Sequence, residues 1–527
     1  MNHIVAVHKT FFKFEKRAEN KPDELISSTF VDAEPLIDIV SAPLSQIIFG
    51  RRGTGKTHAL KYCMARVREM GKIAVYLDIR AIGSNGSFYS DADIPEVERG
   101  LRLVDDILKA LIDELYPLAL EKIEEGNDPK QITLRLDDMI DAVGNIKVSG
   151  VTTISSESEV HHKGSLEAGG QLDVSPVSLS SRLFGSTKKE KVESGKETET
   201  IAGRTVRSID FAQTQVCLKG LLDILGVDQM WLFLDEWSET PRVIQPYLAD
   251  LIRKTILPTG KIVVKIGAIE HRSTFVVHRN TGDYIGLELG ADIGSDLNLD
   301  DFLVFDNNEK KAINFFKELI YKNYLALAGD DAEVSSANEL SNILFTEKRA
   351  VEEFTRAVEG VPRDALNLVS KVVTRAFGKQ AGVDDIRKAA LDWYTQDKAN
   401  TVTNSPILHQ VLNHIVDEVI GNRRARAFLF PSGLRHEVID NLFDFRLLHL
   451  LKKNVSSRDE PGKRYDVWKI DYGCYVDMIR TQQAPLGLLP DENDQYVEVP
   501  SDDYRSIRRA VLTPNALDAY LEQAQAQ

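Results

Sequence analysis

The residues with the clearest chemistry run from Gly50 to Thr57, G-R-R-G-T-G-K-T, and fit the spacing G-x-x-x-x-G-K-[S/T]. Glycines at 50, 53 and 55 are expected to let the backbone approach an anion closely and take positive φ. Successive N–H groups leading into a helix N-terminus form a cradle for phosphate. In such a loop the Lys56 ammonium reaches the terminal phosphates and the Thr57 hydroxyl ligates Mg²⁺. The expected phosphate-binding set is Gly50, Arg51, Arg52, Gly53, Thr54, Gly55, Lys56, Thr57 and His58. A second constellation, Asp235-Glu236, ends the apolar run MWLFLDE. Two acids there sit at the carboxyl edge of a parallel sheet, where ligands bind. Asp235 is expected to join the Mg²⁺ shell and Glu236 to polarise an attacking water. The chemistry is hydrolysis of a nucleoside triphosphate, with Lys56 and Glu236 as catalytic groups.

Positioning these groups requires an α/β sheet. Ser45–Gly50 reads as a strand, the stretch after Thr57 as a helix with a glycine stop, and Lys72–Arg80 as a second buried strand. That βαβ unit implies parallel strands and a right-handed crossover. A long helix follows from about Glu96 to Glu125. From about 144 to 208 the chain turns rich in Ser, Thr, Gly, Glu and Lys and alternates apolar with polar residues, as β-hairpin material does. It interrupts the α/β pattern, which resumes with QMWLFLDE and KIVVKIGAIE, so it reads as an insertion. DLNLDDFLVFDN closes the sheet pattern. Residues 310–398 read as a helical bundle. Beyond about 405, two helices precede the β-like runs RLLHLLKKN and RYDVWKIDYGCYVDMI, joined by a turn-rich VSSRDEPGK. The divisions expected are a lead-in at 1–40, an α/β core at 41–309, a helical bundle at 310–398, a small domain at 405–482 and a tail at 483–527 whose last stretch, DAYLEQAQAQ, is expected to fray.

Composition bounds the partners. The chain has 527 residues, 65 Lys plus Arg against 80 Asp plus Glu, and a net charge of −15. Such a field repels phosphate overall and excludes a surface built throughout to coat nucleic acid, while leaving room for a local basic face. Over Ser405–Arg480 the balance reverses, with 12 Lys and Arg against 10 Asp and Glu. Cys63, Cys217 and Cys474 are too few and too scattered for a disulfide framework, which points to reduced thiols. His161-His162 has no acids or thiols at ligand spacing and reads as exposed rather than metal-binding. No apolar run reaches the roughly 18 residues a membrane helix needs. The N-terminal stretch is basic, and its apolar part is too short for a secretory signal. The expectation is a cytoplasmic protein with no membrane partner.

The order phosphate loop, D-E strand, the strand KIVVKIGAIE and a helical segment carrying EGVPRDALNLV resembles the AAA+ ATPases. Within them it is most similar to the origin-recognition and initiator-loader branch, over roughly residues 30–395. The resemblance implies a P-loop parallel sheet, a helical lid, ATP and Mg²⁺ as ligands, and an oligomer with nucleotide at the subunit interface. By match to G-x-P-R it implies that Arg363 starts a lid helix and contacts the γ-phosphate. The polar sensor after the fourth core strand falls in Ile269-Glu270-His271-Arg272, where Glu270 is an acid in place of the usual amide or hydroxyl. A finger supplied in trans would be Arg272 or Arg279.

The C-terminal pattern resembles the winged-helix domain of the same branch. Arg423, Arg424 and Arg426 cluster there, and Lys452, Lys453, Arg458, Lys463 and Arg464 flank the wing, beside Tyr465 and Trp468. A basic wing would contact phosphates, with a helix in the major groove. Two functions stay open at this point. One is a DNA-binding ATPase switch. The other is a regulatory ATPase, of the kind found in defence systems, that recruits a protein effector without touching DNA.

Overall fold

The structure, a computed structural model, describes residues 3–14, 22–82, 93–144, 146–154, 199–207, 210–278, 282–302, 308–329, 332–403, 405–423, 425–456, 462–480 and 510–525. His161, His162, Arg279, Arg424 and Arg458 lie outside them.

The strands in chain order are β1 (Gln46–Phe49), β2 (Ile73–Asp78), β3 (Ile146–Ile154), β4 (Glu199–Arg207), β5 (Met230–Asp235), β6 (Ile262–Ala268), β7 (Val276–His278), β8 (Tyr284–Gly286) and β9 (Gly294–Asn298). Five of them form one sheet in the order β2-β5-β6-β1-β9, parallel at every junction. Both faces are covered, so its central strands β5 and β6 run nearly continuously apolar instead of alternating. MWLFLD of β5 and IVVKIGA of β6 are buried at every position.

The first helices are α1 (His3–Phe11), α2 (Lys56–Glu69), α3 (Glu96–Glu124), α4 (Pro129–Gly144) and α5 (Phe211–Ile224). On one face Leu108, Leu136 and Leu218 of α3, α4 and α5 pack with Val75, Leu232 and Ile266 of the sheet. On the other, Leu60 and Met64 of α2 pack with Ala74 and Phe233. Within β6 one residue breaks the apolar run. Lys265 in β6 is fully buried, and its Nζ donates to Ala42 O at 2.8 Å and Gln46 Oε1 at 2.5 Å. Burial pushes its pKa down to about 8.

In the stretch read as an insertion, β3 and β4 pair antiparallel from Ile146↔Arg207 to Ile154↔Glu199. The lid comprises α6 (Glu309–Ala328), α7 (Ala337–Leu344), α8 (Lys348–Val358), α9 (Pro362–Arg375) and α10 (Val383–Trp393). The lead-in is not a loose leader. Val7 and Phe11 of α1 are buried, and Ser370 Oγ of α9 donates to Phe11 O at 3.4 Å.

The C-terminal domain holds α11 (Pro406–Val416), β10 (Ala427–Pro431), α12 (Glu437–Asp444), β11 (Leu448–Ser456), β12 (Arg464–Ile470), α13 (Tyr472–Arg480) and α14 (Pro514–Gln525). Its three strands are antiparallel in the order β10-β12-β11. Three readings change. AFLFP forms β10, a strand too short for its period to show. DYGCYVDMI leaves the sheet at Asp471, whose carboxylate accepts from Gly473 N at 3.0 Å and caps α13. The end of the chain, expected to fray, is docked: Leu429 N donates to Ala510 O at 2.8 Å, and Tyr520 stacks on His414 with ring centroids 3.9 Å apart.

Cys63, Cys217 and Cys474 are free thiols. Among the described residues no helix is long and apolar enough to cross a membrane.

Candidate functional site

The phosphate loop lies between the end of β1 and the start of α2. Gly53 and Gly55 take φ of 88° and 98°, a region costly for other residues. Gly50 does not share this conformation, contrary to expectation. Its requirement is space, because a Cβ there would meet Thr54 Oγ1 at 2.6 Å. At Gly53 a Cβ would lie 3.1 Å from both Val361 Cγ1 and Arg363 Cβ. The lid helix α9 therefore begins against the loop, and Arg363 N donates to Gly53 O at 3.2 Å. This contact joins two motifs that stand about 300 residues apart.

Lys56 is buried, and its Nζ donates to Gly50 O at 2.6 Å and Arg51 O at 3.1 Å. Burial lowers its pKa, while Glu236, Asp235 and Asp300 act in the opposite sense. Thr57 follows in the first turn of α2. Asp235 closes β5 and is fully buried in a tight slot. Its Oδ2 accepts from Tyr76 OH of β2 at 2.8 Å, and its Oδ1 accepts from Glu236 N at 2.8 Å. On its other side stands Gly267 of β6, where a Cβ would meet Asp235 Oδ1 at 2.6 Å. Burial holds the Tyr76 phenol, with Asp235 beside it, well above its usual range, so it stays a donor.

Glu236 takes φ 58° as the chain leaves the strand. Burial raises its carboxyl, Asp235 adds to the rise, and Lys56 and Arg80 oppose it. Arg80 Nη1 lies 3.5 Å from Glu236 Oε1 and its Nη2 2.6 Å from Asp78 Oδ2. A raised carboxyl is better matched to taking a proton near neutral pH.

Beside the loop is a pocket lined by Phe30, Val31, Ala33 and Leu36 from the lead-in, Gly55 and His58 from the loop and α2, and Phe302, Phe315 and Pro362 from β9 onward. Apolar and aromatic walls next to a phosphate cradle suit a flat heterocyclic base. Sequence spacing does not reveal this half of the site, because its residues come from separate segments with no motif of their own.

The remaining expected residues divide. His58 Nε2 lies 2.9 Å from Ile26 O, with its ring edge on Phe30. Arg52 Nη2 donates to Glu239 Oε1 at 2.5 Å near the surface. Arg51 points away from the cradle. Its guanidinium is 4% exposed, forms an ion pair with Asp300 at 2.9 Å, donates to Glu359 O at 3.1 Å and bonds to His449 Nδ1. In the sensor region Glu270 pairs with Lys453 at 2.7 Å and accepts from Asn298 Nδ2 at 3.4 Å. Arg272 and His271 both bond to Asp444 of α12.

In the C-terminal domain Arg423 pairs with Glu418 at 2.8 Å, and Arg426 is buried. Tyr465 and Trp468 are core residues, with Trp468 edge-on to Phe443. The expected basic cluster and its aromatic neighbours are thus largely engaged within the chain. A groove of about 550 Å³ runs along Ser432, Gly433, Asn454, Lys463 and Arg464.

Residues 13–89, which hold the phosphate loop and β2, match the family model described as ORC-CDC6-like. A search of curated proteins found no match in sequence. Among solved structures the chain is similar to the ORC1 protein of Aeropyrum pernix, determined in complex with DNA, at 12% identity over 90% of this chain and 98% of that one. The TM-score is 0.28. The phosphate loop between strand and helix at the carboxyl edge of a five-stranded parallel sheet makes a P-loop α/β fold, and over residues 13–89 the chain resembles the origin-recognition and Cdc6 proteins.

Proposed function

We propose that the chain is a Mg²⁺-dependent ATPase that works as a switch, assembles with copies of itself and binds DNA through its C-terminal domain. The observation that carries the reading is convergence. Lys56, Asp235 and Glu236 meet at one cradle, and Arg363 stands at the start of the lid helix whose first residues touch it. Lys56 offers charge to the terminal phosphates, and Arg363 reports the last one to the lid. The base occupies the pocket beside Phe30 and His58.

The donor set fits Mg²⁺. It is a hydroxyl at Thr57 and a buried carboxylate at Asp235, the hard oxygen ligands this ion takes. When bound, the ion supplies charge neutralisation between phosphate oxygens. Glu236 then orients and deprotonates the attacking water, the step that separates a hydrolase from a simple nucleotide binder.

Subunit assembly is supported by Arg272, one of the two arginines after β6 in the region where the resemblance expects a finger. Asp444 of the same chain holds it, so service in trans needs that pair to open. DNA binding rests on the groove bordered by Lys463 and Arg464 and on the local basic balance of the domain. The protein-effector reading draws on a different observation. Arg423 and Arg426 are engaged within the chain, and α12 turns Asp444 toward the ATPase core.

ATP turnover with and without duplex or single-stranded DNA, at two salt concentrations, separates the two. Stimulation that weakens with salt is expected for phosphate contacts coupled to the ATPase. Turnover indifferent to DNA would overturn the DNA reading in favour of a protein effector.

A further inference from the structure

The C-terminal domain does more than pack beside the nucleotide site. Its β11 inserts His449 against the phosphate loop. Arg51 can only donate, so Nδ1 of His449 accepts from it, and Nε2 carries the proton. That proton is given to Asp471 Oδ2 at 2.8 Å. Burial first, and the charge of Arg51 second, hold the imidazole down to about 3, so the ring is neutral in this role.

From Asp471 the network reaches the lid. Lys398 Nζ lies 2.6 Å from Asp471 and 3.0 Å from Asp364, the residue after Arg363 in α9. Arg446, just before β11, also bonds to Asp364. Lys469 of β12 pairs with Glu359 at 2.9 Å, and Arg51 donates to the carbonyl of that same glutamate. Glu359 immediately precedes G-V-P-R. Two strands of the C-terminal domain therefore brace the phosphate loop and the lid turn at once. Arg51, His449, Lys398, Asp364 and Asp471 are all buried. Removing one member leaves a buried charged or polar neighbour with one contact fewer, which is unfavourable.

We propose that His449 is a positioning residue of the nucleotide site: it fixes Arg51, and through it the phosphate loop, so that triphosphate binding and docking of the C-terminal domain are coupled. The inference rests on the nucleotide reading above. Coupling of binding free energies is reciprocal, so a triphosphate that settles the loop tightens the docked domain to the same degree. Whatever the C-terminal domain holds, its docking is then sensed at the phosphates.

The affinity of the full chain for ATPγS with Mg²⁺ tests this. His449→Ala is expected to weaken it by on the order of tenfold, within the usual range of such couplings. Arg51→Ala is expected to do the same. The double variant should be no weaker than Arg51→Ala alone, because His449 acts through Arg51. His449→Gln, whose amide can accept from Arg51 and donate toward Asp471, should recover most of the loss. A second measurement needs no variant. In the wild type, ATPγS with Mg²⁺ should slow amide hydrogen exchange in β11 and α12. Wild-type affinity in His449→Ala, or exchange in β11 unchanged by a ligand that does bind, overturns the inference while leaving the nucleotide site standing. A folded wild type that does not bind ATPγS overturns the nucleotide reading, and this inference with it.

Discussion

Asp235 illustrates how little freedom the acids of this site have. Tyr76 holds one oxygen, the chain's own amide holds the other, and Gly267 leaves no spare volume. Gly267→Ala would place a Cβ 2.6 Å from Asp235 Oδ1 and 3.0 Å from Leu60 Cδ1. The carboxylate must then swing out of its slot. The expected outcome is a kcat lower by roughly tenfold or more, on the scale of a lost transition-state contact, with ATP affinity measured without Mg²⁺ unchanged. Steady-state kinetics beside a metal-free binding titration check it. Glu236 has its own signature. Its carboxyl is raised above the ordinary 4.5, first by burial and then by Asp235. Only the ionised form takes a proton from water, so turnover falls as pH drops through that raised value. The acid limb of kcat against pH should therefore lie above the ordinary glutamate range, and a limb at or below 4.5 would contradict the assignment.

Among the elements, the sheet is where sequence patterning serves best and where it hides most. Unbroken apolar runs mark β5 and β6 because both of their faces are covered. The phosphate loop is legible for a different reason: its chemistry demands fixed residue types at consecutive positions. The apolar pocket beside the loop is not legible, since Phe30, His58 and Phe302 come together only after folding. Arg51 misleads for the same cause. Its motif position suggests phosphate, and its guanidinium is instead held by Asp300 after β9, the lid turn and the last domain. Gly473, amid alternating apolar residues, reads as strand until Asp471 is seen to cap a helix. Lys265 likewise looks like a solvated position inside a strand and is buried. Its pKa falls to about 8 in the fold against 10.5 for a free lysine. Between those values the unfolded chain binds the extra proton, so stability tied to this residue rises with pH. Relative to Lys265→Met, the wild type should gain on the order of 2 kcal/mol between pH 8 and 10, read from denaturant melts of both proteins. A stability difference that stays flat over that range would contradict the burial of an ammonium there.

For the whole molecule, nucleotide site, lid and C-terminal domain share buried charges and cannot move independently at no cost. Lys398 alone touches Asp364 of the lid and Asp471 at the end of the C-terminal sheet. The lead-in takes part as well, with α1 lying on the lid and Phe30 to Leu36 walling the apolar pocket beside the loop. Under the proposed function, nucleotide state read at one cradle would change how the other parts dock. The account depends above all on the cradle being a hydrolytic site. The most direct test measures ATP affinity and turnover together for the wild type, Lys56→Ala and Glu236→Gln. The account predicts Mg²⁺-dependent turnover in the wild type and loss of nucleotide binding in Lys56→Ala. In Glu236→Gln it predicts affinity close to wild type with turnover reduced by roughly a hundredfold or more, the scale of a lost general base. A Glu236→Gln protein that hydrolyses ATP at the wild-type rate would contradict it.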